Sequence, residues 1–313
     1  MLSKRFVWGK NSARLSLLAG LVLGTLVAAP VAWTSPGDQS FETIRQQSSI
    51  ASSYNFNPLP PNAGQGISVA ILSEGISRSM EKQLGDRLSA YSVLAGDTGP
   101  YEEDDPIMGS SITTQMTSLI HALAPQARMI TIKVLNPLAG GSFLDVQNGI
   151  TRAVELGAKI IVLPISASSD DFGVARAVDS ALAKGVLIVA AAGNSYRYGA
   201  DFPARMEGVT AVGAVDADDK VPAFSNYGGK IIFTPGVNIK VAGQSDGKSG
   251  TSHAAGVAGA IFAILWSQNP NLSRQQIVDA VFKTAKDISD PKGNPAKRIN
   301  GQAALQAIKN PTP

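Results

Sequence analysis

The 313-residue chain has no cysteine and only two histidines, and aromatic side chains make up just 6% of it. Without cysteine there is neither a disulfide framework nor a thiol nucleophile, although this absence says little about compartment. With His121 and His253 as the whole histidine inventory, any imidazole base can be sought by elimination. A charge excess is also missing from most of the chain. The formal net charge is +3, but Lys4, Arg5, Lys10 and Arg14 all lie within the first 14 positions. Setting these four aside leaves 23 basic against 24 acidic residues, so the remainder is about neutral and carries no nucleic-acid footprint. There is no internal repeat and no long low-complexity tract.

What is present is enough apolar material, 44% of residues, for one large α/β domain with a well-buried core. Residues 1–34 combine a basic start with an uncharged run, Leu15 to Trp33, of 19 residues. Such a segment reads as a secretory signal. Its length is also close to the roughly 20 residues that cross a bilayer as a helix, so a retained anchor stands beside a cleaved signal. Either places the domain outside the cytoplasmic membrane, periplasmic or extracellular, with membrane contact only through residues 15–33 if they are kept. The stretch Ser35 to Gly66 is rich in Ser, Gln, Asn, Pro and Gly, and its first part, residues 35–56, reads as a linker or N-terminal arm. The domain proper is expected over 57–313.

Within it, Ile67 to Leu72 is strand-like and Ser79 to Leu94 is expected to be helical. Gly109 to Ala124 is predicted helical and Met129 to Leu135 a strand. Helices over Phe143–Leu156 and Val174–Lys184 then alternate with strands over Lys159–Pro164 and Val186–Ala191. This βαβ rhythm with apolar strands predicts a parallel sheet covered on both faces. Further helices are expected over Thr251–Gln268, Ser273–Thr284 and Gly301–Lys309, and Ser273 with Gln276 has capping-box form. Tyr101 to Pro106 is an acidic stretch, read as a solvated charge run rather than a metal site.

The stretch Ser249-Gly250-Thr251-Ser252-His253-Ala254-Ala255-Gly256-Val257-Ala258-Gly259 carries the most chemistry. A glycine-rich turn runs into a small-residue helix whose first N–H groups are orphaned and whose dipole is positive there. A serine at that place suits a nucleophile that generates an oxyanion, although an N-cap is the commoner use of Ser and Thr. Gly250-Thr251-Ser252 with Val257-Ala258-Gly259 resembles the serine motif of the subtilisin-like serine proteases, the subtilases. Ala190-Ala191-Ala192-Gly193-Asn194 is similar to that family's strand end bearing the oxyanion asparagine. Phe202-Pro203-Ala204, Val209 to Val215, Phe224-Ser225-Asn226-Tyr227-Gly228 and Thr234-Pro235-Gly236 follow in the family's order, and the likeness extends from about Asn57 to Ile308. It implies an α/β fold of the subtilisin-like three-layer α/β/α type with a mostly parallel central sheet.

The resemblance also shows what is changed. Ser252 stands at the nucleophile and Asn194 at the oxyanion position. Ser73, in Ile71-Leu72-Ser73-Glu74-Gly75, occupies the place of the catalytic aspartate, and a hydroxyl cannot stabilise an imidazolium as a carboxylate does. Glu74, one residue on, is expected to face away. Met108, in Met108-Gly109-Ser110-Ser111, occupies the place of the histidine and cannot take a proton. His121 lies 13 residues further, roughly 19 Å along a helix at about 1.5 Å per residue. His253 adjoins Ser252, and helix neighbours do not face each other; both histidines read as packing or surface residues. The serine motif is one residue short of the family pattern, which turns Ser252 by about 100° relative to Val257. Pro164 and Ser168 alter the strand, Val162 to Ser168, that holds substrate backbone in the family. The stretch preceding the domain is too short and polar for the usual inhibitory prodomain.

These features imply an exported subtilase-like pseudoprotease that binds a peptide or protein partner or serves as an assembly subunit, without cofactor or metal. A serine hydrolase using Ser252 with another base, Lys248 or a carboxylate from Glu102 to Asp105, is the alternative.

Overall fold

The computed structural model describes residues 41–47, 50, 53–102, 109–137, 140–244 and 246–309. Its strands are β1 (Ser68–Ser73), β2 (Leu88–Ser92), β3 (Arg128–Lys133), β4 (Ile160–Leu163), β5 (Leu187–Ala191), β6 (Thr210–Val215), β7 (Ile232–Pro235), β8 (Lys286–Ser289) and β9 (Pro295–Arg298). Its helices are α1 (Phe41–Arg45), α2 (Arg78–Leu84), α3 (Ile112–Leu123), α4 (Phe143–Glu155), α5 (Phe172–Ala183), α6 (Thr251–Gln268), α7 (Arg274–Thr284) and α8 (Gly301–Lys309). The strands form one sheet in the order β2-β3-β1-β4-β5-β6-β7-β9-β8, parallel throughout except for the β8–β9 pair.

Strand alternation divides the core between the two faces of this sheet. Val69 and Ile71 of β1, Ile160 and Val162 of β4 and Leu187 and Val189 of β5 join a cluster that includes α3 and α6. Ala70, Leu72, Ile161, Leu163, Ile188 and Ala190 join the opposite cluster with α4 and α5. The result is a three-layer α/β/α fold with a mostly parallel sheet. Helix α6 is apolar on every side, as expected of a helix enclosed by the rest of the domain. Its small residues set how close it comes: a Cβ on Gly256 would sit 2.7 Å from Met116 Sδ of α3, and one on Gly259 2.7 Å from Val162 Cγ2 of β4.

Three regions differ from the sequence-based expectation or add to it. The helix expected over Ser79–Leu94 stops at Leu84. Gly85 breaks it with φ +53°, and Leu88–Ser92 then pairs with β3 as an edge strand. The β8–β9 hairpin had no counterpart in the sequence reading, because half of its strand residues are charged, half are exposed and they show no apolar alternation. The arm is tied into the domain: Ile44 and Ile50 are fully buried and Tyr54 donates to Leu123 O at 2.5 Å. Gln47 donates from Nε2 to Lys240 O and accepts from Lys240 N, as a paired strand residue would. The segment 15–33 lies outside the described residues. Among the described residues, no helix is long and apolar enough to cross a membrane.

Candidate active site

Parallel strands bring their carboxyl ends to one edge of the sheet, the edge where ligands bind in α/β folds. Here β1 ends at Ser73, β4 leads to Pro164 and β5 leads to Asn194, and these three strands are neighbours. Helix α6 begins on the same edge. Thr251 N and Thr251 Oγ1 both donate to Asn194 Oδ1 at 3.0 Å, and Gly193 N donates to Thr251 Oγ1 at 3.3 Å. Ser252 Oγ donates to Pro164 O at 2.7 Å. The fold therefore unites Ser252, Asn194 and the Val162–Ser168 strand, with the serine's hydroxyl hydrogen directed at a main-chain carbonyl.

Ser73 is buried at the end of β1, in register with Lys133 of β3. Met108 lies outside the described residues, as do Glu103, Asp104 and Asp105. Helix α3 opens at Ile112, three residues later than expected. Ser111 is its N-cap, accepting from Thr114 N at 3.1 Å. Glu74 was expected to face away, but β1 has ended at Ser73 and strand alternation no longer governs it. Its Oε2 accepts from Ile112 N at 3.0 Å and its carbonyl from Thr113 Oγ1 at 2.6 Å, so it caps α3 a second time. A carboxylate on a helix N-terminus is favoured by both the orphan N–H and the dipole.

The two candidates for a substitute base also have places. Glu102 Oε1 accepts from Gly75 N at 3.1 Å and lies 3.6 Å from Lys133 Nζ, which also reaches Asp97 at 3.2 Å. Burial pushes the Glu102 carboxyl above its usual range; the Gly75 N–H opposes this and the charge of Glu74 adds to it. Lys248 is paired through its backbone with Ile239 at the foot of the turn leading to Gly250.

The two histidines differ in exposure, His253 being buried and His121 half-buried. His253 is buried, with Nε2 2.9 Å from Gln115 Oε1, and Gln115 Nε2 donates to Ser110 O at 2.7 Å. Burial, with a smaller contribution from the Lys248 charge, pulls its pKa from 6.5 down to about 4. His121 lies at the far end of α3, edge-on to Phe41. Sequence reasoning missed Gln115 and the capping role of Glu74. The Ser111-Ile112-Thr113-Thr114 run held a cap signal, but nothing local pointed from Gln115 to a residue 138 positions away. Among the described residues, no group of three or more His, Asp or Glu side chains is placed to hold a metal ion.

The family model for the subtilase family matches residues 64–303. The chain is 31% identical over 241 residues to the thermostable alkaline protease of Halalkalibacterium halodurans, an alignment covering 73% of this chain and 64% of that protein. It is 30% identical over 256 residues to Subtilisin Savinase of Lederbergia lenta, covering 78% of this chain and 92% of that one. The chain thus spans less than two thirds of the first relative and nearly all of the second. The solved protease domain of PatA superposes with a TM-score of 0.72 at 26% identity, covering 82% of this chain and 99% of the domain. With the family model matched over most of the chain and relatives at 30% identity aligned across the same region, the chain belongs to the subtilase family.

Proposed function

We propose that this subtilase is an exported, non-catalytic member that binds a peptide or protein or acts as an assembly subunit. The observation that carries the reading is the state of Ser252. Its hydroxyl donates to Pro164 O, while the adjacent imidazole is turned onto Gln115. A serine nucleophile needs a base that takes this same proton and a carboxylate that orients the base. Ser73 supplies no carboxylate, and neither His121 nor His253 is placed behind Ser252. The basic start and the uncharged run over 15–33 support export.

A hydrolase with another base is favoured by one observation only: the charge of Lys248 is felt at His253, so it acts close to the start of α6. Glu102 is occupied by Gly75 N and Lys133. The relatives are named as proteases, which makes the test direct. The domain from Ser35 onward is treated with a tagged fluorophosphonate at neutral pH beside a Ser252→Ala control. Non-catalytic protein stays unlabelled while folded by circular dichroism. Labelling that disappears in the control overturns the reading and moves the search to Lys248.

A further inference from the structure

Strands β1 to β7 are mutually parallel, so their amino ends share the edge of the sheet opposite Ser252 and Asn194. Cations line that edge strand by strand. Arg87 immediately precedes β2, Arg128 opens β3, Lys159 precedes β4 and Lys184 lies three residues before β5. Arg274 reaches the same edge at β6, where its Nη1 donates to Gly208 O at 3.1 Å. The first four are exposed and Arg274 is half-buried. In the order β2-β3-β1-β4-β5-β6, every strand but β1 has a cation at its start. The row is about 24 Å long, at roughly 4.8 Å per strand. Helices α3, α4 and α5 bring their carbonyl ends to this edge, and their dipoles favour cations there without neutralising them. Of the acidic side chains nearby, Glu155 is paired with Arg152 and Glu207 with Lys230, and Asp86 stands beside Arg87.

The arm shows what this face meets. Phe41 stands against His121 near the end of α3, and Tyr54 donates to the carbonyl of Leu123, so the arm enters at the basic edge. Seven residues, 34–40, join Phe41 to the uncharged run that ends at Trp33. Fully extended they reach at most about 25 Å, so a run kept in the bilayer brings this edge, and not the site, to the lipid. The exposed large apolar side chains are elsewhere among the described residues. Leu144 and Phe172 lie in the first turns of α4 and α5, and Tyr196 and Tyr198 follow β5, all at the opposite edge. The basic edge therefore offers charge to a lipid surface and nothing apolar to insert. We propose that the amino edge of the sheet docks on an anionic phospholipid bilayer through Arg87, Arg128, Lys159, Lys184 and Arg274, which turns the candidate site away from the membrane. The proposal rests on the export reading above for the presence of a membrane. Cations beside a bilayer act as a second signal that supplements a single hydrophobic anchor.

The test uses the full chain reconstituted into vesicles of phosphatidylcholine alone or of equal parts phosphatidylcholine and phosphatidylglycerol. Lysines open to water are briefly acetylated and read by mass spectrometry, with Lys220, exposed in the turn after β6, as reference. Lys159 and Lys184 are expected to label roughly fivefold or more slowly in the anionic vesicles, the worth of about one cation at such a surface. Molar salt, which shortens screening to about 3 Å, is expected to restore their labelling. Lys184→Glu is expected to release Lys159 as well. Equal labelling in both lipids, protection of Lys220 in place of the two, or unchanged protection of Lys159 in folded Lys184→Glu overturns the proposal. A DNA duplex that protects the same lysines as well as the anionic vesicles do also overturns it, since any polyanion then serves. Carbonate extraction tests the anchor separately. A chain washed out of the vesicles overturns retention of the run, while protection of Lys159 and Lys184 by added anionic vesicles still upholds the docking face.

Discussion

The two ends of α3 each shield a histidine, the one fully and the other in part, by different means. At the N-terminal end Gln115 holds His253 in a polar chain that continues to Ser110, whose Oγ donates to Ala242 O at 2.8 Å. At the C-terminal end His121 stands edge-on to Phe41 of α1, ring centroids 4.6 Å apart at 72°, with Nδ1 buried and unpartnered. Burial lowers both proton affinities to about 4, with Lys248 and Arg87 respectively adding smaller contributions. The first histidine is oriented by hydrogen bonds at the edge where Ser252 and Asn194 meet. The second is partly covered by Phe41 of the arm. A lowered proton affinity thus arises here from two devices, one that orients the ring and one that covers it.

The largest expected effect is acid destabilisation. Both folded values lie below the unfolded value of 6.5, so the unfolded chain takes up protons that the folded chain refuses until about pH 4. The stability contribution is intact above pH 6.5, falls as pH drops through this window and is fully lost below it. A depression of this size corresponds to about 3 kcal/mol per histidine, or about 6 kcal/mol for two independent sites. Urea midpoints measured at pH 7 and pH 4 check it. His121→Gln and His253→Gln are each expected to remove about half of the histidine-dependent loss. An unchanged pH slope in either variant shows that its ring is not sealed.

The next prediction separates the devices. Ile44 of α1 is fully buried, so Ile44→Ala is expected to cost about 2–5 kcal/mol. Loosening the arm also exposes His121, whose pKa should rise towards 6.5 in an NMR titration while that of His253 stays. If both pKa values rise together, the two ends of α3 are one cooperative unit and the comparison fails.

Much of this fold was legible because the apolar strands β1, β3, β4 and β5 and the helices between them carry strong local patterns. The α6 motif likewise drew attention to Ser252 and the Gly193-Asn194 pair to Asn194, and the fold brings the two together at the start of α6. What was not legible depended on partners far along the chain. Leu88–Ser92 became a strand because β3 offered an edge, and Glu74 became a cap because β1 ended one residue before it. The arm looked polar, yet Ile44, Ile50, Tyr54 and Phe56 supply a buried face without regular periodicity. His253 looked like packing because its hydrogen bond with Gln115 joins residues 138 positions apart, and a tautomer is not written in a sequence.

A smaller effect sharpens the orienting half of the comparison. Gln115→Leu removes the acceptor for His253 Nε2–H and the donor to Ser110 O, both buried. The expected cost is about 1–3 kcal/mol in chemical denaturation at neutral pH. The ring should also lose its single tautomer, visible as exchange between two sets of 15N imidazole signals. Loss of stability with the tautomer unchanged means that something other than Gln115 orients the ring.

The smallest effect concerns the caps. Ser111 accepts from Thr114 N and donates to Gly75 O at 2.6 Å, while Glu74 independently holds Ile112 N. Ser273 on α7 forms a capping box with Gln276, far from either histidine in the element order. Each serine-to-alanine change is expected to cost about 1 kcal/mol, the usual worth of an N-cap. The two differ in what else moves. Ser111→Ala loosens the first turn of α3, which carries Gln115, so the His253 imidazole signals should shift although its pKa stays low. Ser273→Ala should leave both histidines untouched at the same loss of stability. Equal disturbance of His253 by the two changes means that global stability, and not the first turn of α3, sets the position of that ring.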